Sequence, residues 1–153
     1  MIKIVVASDN HGDLDSIKTI LEENHNYDYY LHTGDSCVDP SFMVPFSCVK
    51  GNNDYFYDYP QYRVIKIDEN NTILMIHGHQ FIYNKDKAIN MAKENNCNIV
   101  LYGHTHVFND ETIDGIRLIN PGSCYYNRDR SEPCYARIFI DNNIIKVDRI
   151  NLL

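Results

Sequence analysis

The sequence lacks any apolar run that approaches the roughly 18 to 20 residues needed to cross a bilayer. It also lacks a basic segment followed by an apolar stretch and a cleavage site, so we expect neither a secretory leader nor a membrane span. Basic residues are few: the 153 residues carry 14 basic and 21 acidic side chains, a formal charge of -7. Because long polyanions are held by clustered lysine and arginine, we expect no extended nucleic-acid surface.

Paired cysteines are lacking as well. The five cysteines are odd in number and none is spaced as Cys-x-x-Cys; they are Cys37, Cys48, Cys97, Cys124 and Cys134. This pattern predicts reduced thiols in a cytoplasmic protein. None has a neighbouring histidine or a helix-start signature, so we interpret them as small core residues and not as nucleophiles. A chain of this length can form one stable core without disulfides, and we expect a single domain over residues 1–153.

Apolar patterning predicts both helices and strands. Short apolar runs at 2–7, 29–32 and 46–50 are typical of buried strands, and helical spacing from Leu14 to a polar end at Asn24 predicts a helix. The remaining elements are a hairpin of 62–68 and 72–76, an amphipathic helix over 84–96 capped by Asn84, a buried strand at 98–102, and a mostly antiparallel meander of 107–113, 116–119, 135–140 and 144–150. The mixture indicates two packed sheets with helices outside.

Polar clusters follow five of the predicted strands. They are Ser8-Asp9-Asn10-His11, Gly34-Asp35, Gly51-Asn52-Asn53-Asp54, His77-Gly78-His79 and Gly103-His104-Thr105-His106. Any one of them could be structural, as a helix cap, an Asx turn or a hydrogen-bonded histidine. Structural roles alone, however, give no reason for polar clusters to recur after five strands, whereas donors at strand ends converge on a site. Carboxylate, imidazole and amide oxygen are the donors that two adjacent divalent metals require.

The spacing of these donors suggests how they divide between two ions. A carboxylate shared between two cations offsets their mutual repulsion, and Asp35 is the candidate for that position. Asp9 and His11 can face the same ion, while His104 and His106 could send one imidazole to each ion. Asn52 would lend a neutral amide oxygen, and His77 would complete the second ion's ligands.

The order Asp-x-His, Gly-Asp, Gly-Asn, His, Gly-His-x-His resembles the calcineurin-like metallophosphoesterase superfamily. His77-Gly78-His79 together with Asn120-Pro121-Gly122-Ser123 is similar to its small bacterial and archaeal branch, the YfcE-like phosphodiesterases, and the match runs in order through residues 1–123. The resemblance implies an α/β fold, a four-layer α/β/β/α sandwich of two mixed sheets. It also implies two metal sites, one formed by Asp9, His11, Asp35 and His106 and the other by Asp35, Asn52, His77 and His104.

The resemblance implies a dinuclear phosphodiesterase. We expect two divalent ions, manganese first and nickel, iron, zinc or cobalt as alternatives, and attack of a metal-bridging hydroxide on a small phosphodiester, with Asp35, Asn52 and His77 as catalytic residues. Relatives suggest a homo-oligomer. The alternative is a catalytically weak or inactive scaffold, because the superfamily includes a retromer subunit that binds protein partners.

One position departs from the family pattern. Many members have a histidine after the motif asparagine, and the small branch often has a cysteine, but this chain has Asn53. An amide cannot protonate a leaving group at neutral pH, so we expect a bias toward activated esters such as aryl phosphodiesters. We assign substrate contacts to Asn53 and His79.

Overall fold

Ten strands and two α-helices are formed by the residues that the computed structural model describes, 1–82 and 84–152. In chain order they are β1 (Ile2–Ala7), α1 (Leu14–Glu23), β2 (Tyr29–His32), β3 (Ser47–Cys48), β4 (Tyr62–Lys66), β5 (Thr72–Ile76), α2 (Lys85–Glu94), β6 (Ile99–Leu101), β7 (Phe108–Ile113), β8 (Ile116–Pro121), β9 (Cys134–Asp141) and β10 (Ile144–Asn151). The strands form two mixed sheets of five, in the orders β10-β9-β1-β2-β3 and β4-β5-β6-β8-β7.

The two sheets pack face to face, with one α-helix on each outer surface. Ile138 of the first sheet and Met75 of the second belong to the same fully buried core between the sheets. On the outer face of the first sheet, Ile17 of α1 packs in a cluster with Val5. Ile89 of α2 lies in the corresponding cluster on the outer face of the second sheet. These layers confirm the predicted four-layer α/β/β/α sandwich.

Helix α1 shows how local sequence sets an element's limits. The Asp13 side chain accepts the N–H of Asp15 and caps the first turn, as acidic residues do at helix N-termini. At the other end the Asn24 side chain donates to the carbonyl of Ile20 and to the hydroxyl of Tyr135, at 2.7 and 2.9 Å. The predicted helix from Leu14 to a polar end at Asn24 is therefore confirmed.

Parallel pairing brings several strand ends to the same edge. In the first sheet β1 pairs parallel with β2, and β2 with β3. In the second sheet β5 pairs parallel with β6. Because the carboxyl ends of parallel strands lie at one edge, the loops that follow β1, β2 and β3 are neighbours, and so are those that follow β5 and β6. All five polar clusters of the sequence stand in these loops.

The predicted meander is wrong. The structure has two separate hairpins: β7 pairs with β8 in the second sheet, whereas β10 pairs with β9 in the first. The reason is the inner face of β9, where Ala136, Ile138 and Ile140 are needed to complete the core between the sheets beside β1. The strand predicted at 46–50 is also shorter, because Lys50 donates its N–H to the Pro60 carbonyl instead of continuing the ladder.

The cysteines are free thiols, and their positions differ. Four are buried, as predicted for core residues, whereas Cys37 is only half-buried and lies among the polar loops. Among residues 1–82 and 84–152, no helix has both the length and the apolar character that a bilayer crossing requires.

Truncating the core between the sheets tests this packing. Ile138 is fully buried, and Ile138→Ala should lower the free energy of unfolding by about 2–5 kcal/mol because the change removes buried methyl groups and leaves a cavity. Ile144 on β10 is 71% exposed and provides the control, for which Ile144→Ala should stay within about 0.5 kcal/mol. Urea unfolding of both variants measures the difference, and equal losses would contradict the assigned core.

Candidate metal centre

The seven candidate ligands lie in the loops at the shared strand edge. Asp9 and His11 follow β1, Asp35 follows β2, Asn52 follows β3, His77 follows β5, and His104 and His106 follow β6. These residues come from both sheets, so the site spans the point where the two sheets meet. The apolar strands place the ligands, because each strand ends where its polar cluster begins.

Two carboxylates form the middle of this cluster. The Nε2 atom of His77 lies 3.4 Å from Asp35 Oδ2 and 3.8 Å from Asp9 Oδ1. On the other side, His11 Nε2 lies 3.8 Å from the same two oxygens. Two groups of donors thus lie close enough to hold an ion, Asp9 with His11 and His106, and Asp9 with Asp35 and His77. Asp9 therefore belongs to both groups by distance, although the sequence pattern assigned it to one.

His106 and the Asn52 amide extend the two groups. His106 Nε2 lies 3.5 Å from Asp9 Oδ1 and 3.1 Å from His11 Nε2. On the opposite side, His104 Nδ1 lies 3.1 Å from the side-chain oxygen of Asn52, and the His104 ring is 5.3 Å from the His77 ring. The structure therefore brings all seven predicted residues together.

The outer nitrogens of the histidines show which atoms face the centre. His77 Nδ1 donates to the Thr33 carbonyl at 2.8 Å, and His106 Nδ1 donates to the Tyr126 carbonyl at 2.7 Å. In a neutral ring this leaves the lone pair on Nε2, directed at the carboxylates. His11 Nδ1 instead faces the sulfur of Cys37 at 3.8 Å.

A cation fits this arrangement of donors. Asp9 Oδ1 and His77 Nε2 are buried, and neither has a hydrogen-bond partner among the described residues. Two unpartnered acceptors that face one another are unfavourable unless a positive charge lies between them. Burial alone would lower the pKa of His77, but the nearby carboxylates of Asp35 and Asp9 raise it. The donor set suits a divalent metal.

Hydrogen bonds hold both carboxylates in place. The Asn53 backbone N–H donates to Asp35 Oδ1 at 2.8 Å, and the Asn53 amide donates to Asp35 Oδ2 at 2.9 Å. Burial would raise the pKa of Asp35, but His77 and these bonds lower it below its usual range. For Asp9, the Ser8 hydroxyl and the His104 N–H donate to Oδ2 and leave Oδ1 free.

Asp54 is a residue that the sequence interpretation missed. Its buried carboxylate accepts the backbone N–H groups of Asp35 at 2.9 Å, Gly51 at 2.7 Å and Cys37 at 2.9 Å. It therefore ties the loop after β2 to the loop after β3. No periodicity marks it, because an acidic residue after two asparagines is typical of a solvated turn.

The two predicted substrate contacts lie at the centre's border. Asn53 is exposed, and one N–H of its side chain is used on Asp35. The ring of His79 lies 5.5 Å from that of His77 and 6.2 Å from that of His104. Its Nδ1 is buried and has no hydrogen-bond partner in the part of the chain that the structure describes.

The backbone at the centre is strained. Five of the seven candidate ligands have positive φ angles between 45° and 69°, namely Asp9, His11, Asp35, His104 and His106. Such conformations cost on the order of 1–3 kcal/mol each for residues with a side chain, and they persist only where the surroundings enforce them. A Cβ atom at Gly51 would lie 2.0 Å from Asp35 Oδ1, so the loops also approach too closely for any larger residue there.

Comparisons with known proteins agree with this geometry. The sequence matches the profile described as the calcineurin-like phosphoesterase superfamily domain over residues 2–143. It is 33% identical over 146 residues to a "Probable metallophosphoesterase" of Mycoplasma pneumoniae (strain ATCC 29342 / M129), covering 90% of this chain and 89% of that protein. A solved structure from Streptococcus pneumoniae TIGR4, described as a conserved uncharacterised protein and predicted phosphoesterase, has a TM-score of 0.91 at 33% identity, covering 98% of this chain and 89% of that chain.

More distant structures share the fold alone. An archaeal phosphodiesterase has a TM-score of 0.73 at 22% identity and covers 97% of this chain and 100% of its own. Vacuolar Protein Sorting 29 of Cryptosporidium parvum has a TM-score of 0.75 at 17% identity and covers 99% of this chain and 97% of its own. The family profile and the two closer relatives each span most of the sequence, so this chain belongs to the calcineurin-like phosphoesterase superfamily.

Proposed function

We propose that this chain is a phosphodiesterase that works with two divalent metal ions held at the candidate metal centre. The observation that carries the proposal is the pair of buried, unpartnered acceptors, Asp9 Oδ1 and His77 Nε2, that face one another across the centre. The residues that would hold the ions are Asp9, His11, Asp35, Asn52, His77, His104 and His106. Manganese is the first choice of metal, with nickel, iron, zinc or cobalt as alternatives, because this donor set suits several first-row ions.

Bound divalent ions would supply Lewis acidity toward phosphoryl oxygens and a lowered pKa for water. The chain's own part is to fix its donors before a substrate arrives. The amide of Asn53 and the carboxylate of Asp54 hold the Asp35 side chain and backbone, and the Thr33 carbonyl fixes the ring of His77. Donors held in this way need no reorganisation during the reaction, which is the largest contribution that a preorganised site makes.

Two residues are proposed to contact the phosphate group. The Asn53 amide nitrogen carries two hydrogens, and the described residues accept one of them, through Asp35. His79 offers a buried Nδ1 that has no partner in residues 1–82 and 84–152, beside the His77 and His104 rings. The second amide hydrogen of Asn53 and the His79 Nδ1 atom have no partner among the described residues, so either can hydrogen-bond a phosphoryl oxygen.

A scaffold without catalysis is the alternative function. The fold-level likeness to Vacuolar Protein Sorting 29 supports it. So do the rings of Tyr55 and Phe56, which follow Asn52 in the chain, are 74% and 91% exposed, and could also join copies of this chain. The competent donors at all seven candidate ligand positions favour the enzyme.

We further propose that the protein is cytoplasmic, because its described cysteines are free thiols. We also propose that its substrate is a small phosphodiester, because an acidic chain does not favour long polyanions.

Replacing the central carboxylate tests the metal centre. Asp35→Asn should remove much of the bound metal and lower turnover of bis(p-nitrophenyl) phosphate by about 10²- to 10³-fold, since a metal contributes several kcal/mol to the transition state. Asp39→Asn is the matched control, because Asp39 is exposed in the same loop and should retain full activity. Elemental analysis of metal per chain accompanies the assay. A metal-replete, active Asp35→Asn variant refutes the proposal, and a wild-type protein with neither metal nor turnover supports the scaffold.

Asn53, which follows the motif asparagine Asn52, predicts a preference among leaving groups. Without a general acid, alkyl esters should be cleaved about 10²- to 10⁴-fold more slowly than aryl esters, because an alkoxide leaves poorly without a proton. Asn53→His should raise the alkyl-to-aryl ratio, while the backbone N–H of residue 53 can still bind Asp35. Steady-state rates with methyl and p-nitrophenyl leaving groups measure the ratio. Equal rates for alkyl and aryl esters in the wild-type protein would show that Asn53 has no such effect.

A further inference from the structure

A groove of about 770 Å³ opens directly beside the candidate metal centre. His104 lines the groove, so the groove and the centre share this residue. The groove's volume falls within the roughly 300–1,000 Å³ of sites that bind small molecules. A separate apolar depression beside α1, lined by Ile17, Leu21 and Phe42, shares no residue with the centre.

The walls of the groove are apolar and well supported. They are formed by Phe81, Ile82, Tyr102 and Val107. The rings of Phe81 and Tyr102 meet edge to face with centroids 5.8 Å apart, and the Tyr102 hydroxyl accepts the side-chain N–H of Asn109. Ile82 is 47% exposed, so it presents apolar surface to whatever occupies the groove. Such walls favour a flat apolar ring over a hydrated polar group.

Two cations line the same groove, and they differ in availability. The Lys85 ammonium is paired with the Glu111 carboxylate. The exposed guanidinium of Arg128 has no side-chain hydrogen bond or salt bridge to any of the residues that the structure describes. Its backbone N–H donates to the His106 carbonyl at 3.0 Å, which anchors the residue next to the centre. Arg128 is thus the cation available to an anionic group in the groove.

We propose that this groove binds the organic part of the substrate, and that this part is a flat aromatic group with an anionic substituent. The proposal rests on the proposed function, since it takes the phosphate group to lie at the metal centre. The ring would then lie against Ile82 and Tyr102, and its anionic substituent would pair with Arg128. The substrate class is an aryl or heteroaromatic phosphoester that carries a second negative charge.

Three phosphonates that cannot be hydrolysed test the groove by binding alone. Methylphosphonate, phenylphosphonate and (4-carboxyphenyl)phosphonate are titrated calorimetrically into the manganese-loaded protein. The phenyl compound should bind about 10-fold more tightly than the methyl compound, because it buries a ring against the apolar walls. The carboxylate should add about a further 5-fold through Arg128.

Variants assign each gain to its residue. Ile82→Ser should reduce the phenyl-to-methyl affinity ratio by about 5-fold, since it removes apolar surface from the wall. Arg128→Gln should abolish the gain from the carboxylate, and Arg128→Lys should retain most of it. Arg130 is exposed on the same loop and does not line the groove, so Arg130→Gln should leave both ratios unchanged.

The outcomes separate this proposal from the proposed function. Equal affinities for the three phosphonates, or ratios that no variant changes, overturn the groove assignment even if bis(p-nitrophenyl) phosphate is hydrolysed. Failure to hydrolyse that diester, with the expected order of affinities, overturns catalysis and leaves the groove as a binding site for the same ligand class.

Discussion

Asp9 Oδ1 and His77 Nε2 face one another across 3.8 Å in the interior, and neither has a hydrogen-bond partner among the described residues. An unsatisfied buried acceptor costs about 1–3 kcal/mol, so a folded chain that keeps two of them in opposition needs a compensating positive charge. Against the effect of burial, the carboxylates of Asp35 and Asp9 raise the pKa of His77. A metal centre meets this requirement and also explains why donors from both sheets converge here.

The surrounding fold holds these charged and polar groups in place at a cost in backbone conformational free energy. Five of the candidate ligands adopt strained backbone conformations, which the neighbouring hydrogen bonds must enforce. Asp54 holds three backbone N–H groups, and Ser8 holds Asp9 Oδ2 so that its other oxygen remains free. Strain of this kind is retained where it orients functional groups, and the rigid apolar strands beneath the loops provide the support. The candidate ligands are therefore held in position before any metal or substrate binds.

The candidate site was more predictable from the sequence than the residues and strand pairings that hold it in place. Apolar runs that end in donor-rich clusters predicted that the seven candidate residues lie together, because strand ends and the chemistry of the donors are both local properties of the sequence. Asp54 could not be predicted, because its role is to accept hydrogen bonds from two loops that meet only in the folded structure. The division of the last four strands between two sheets could not be predicted either, since a hairpin pattern carries no information on which sheet the hairpin joins. The groove beside His104 is likewise formed by residues from separate elements, and no single motif marks it.

We propose that cations occupy the space between the inward-facing donors of the candidate metal centre. Anomalous diffraction from crystals grown with manganese addresses this directly. We expect two peaks per chain, one in contact with His11 and His106 and one in contact with His77, Asn52 and His104, with Asp35 between them. A manganese-saturated crystal without anomalous density there, with His77 Nε2 hydrogen-bonded to an ordinary partner instead, would contradict it.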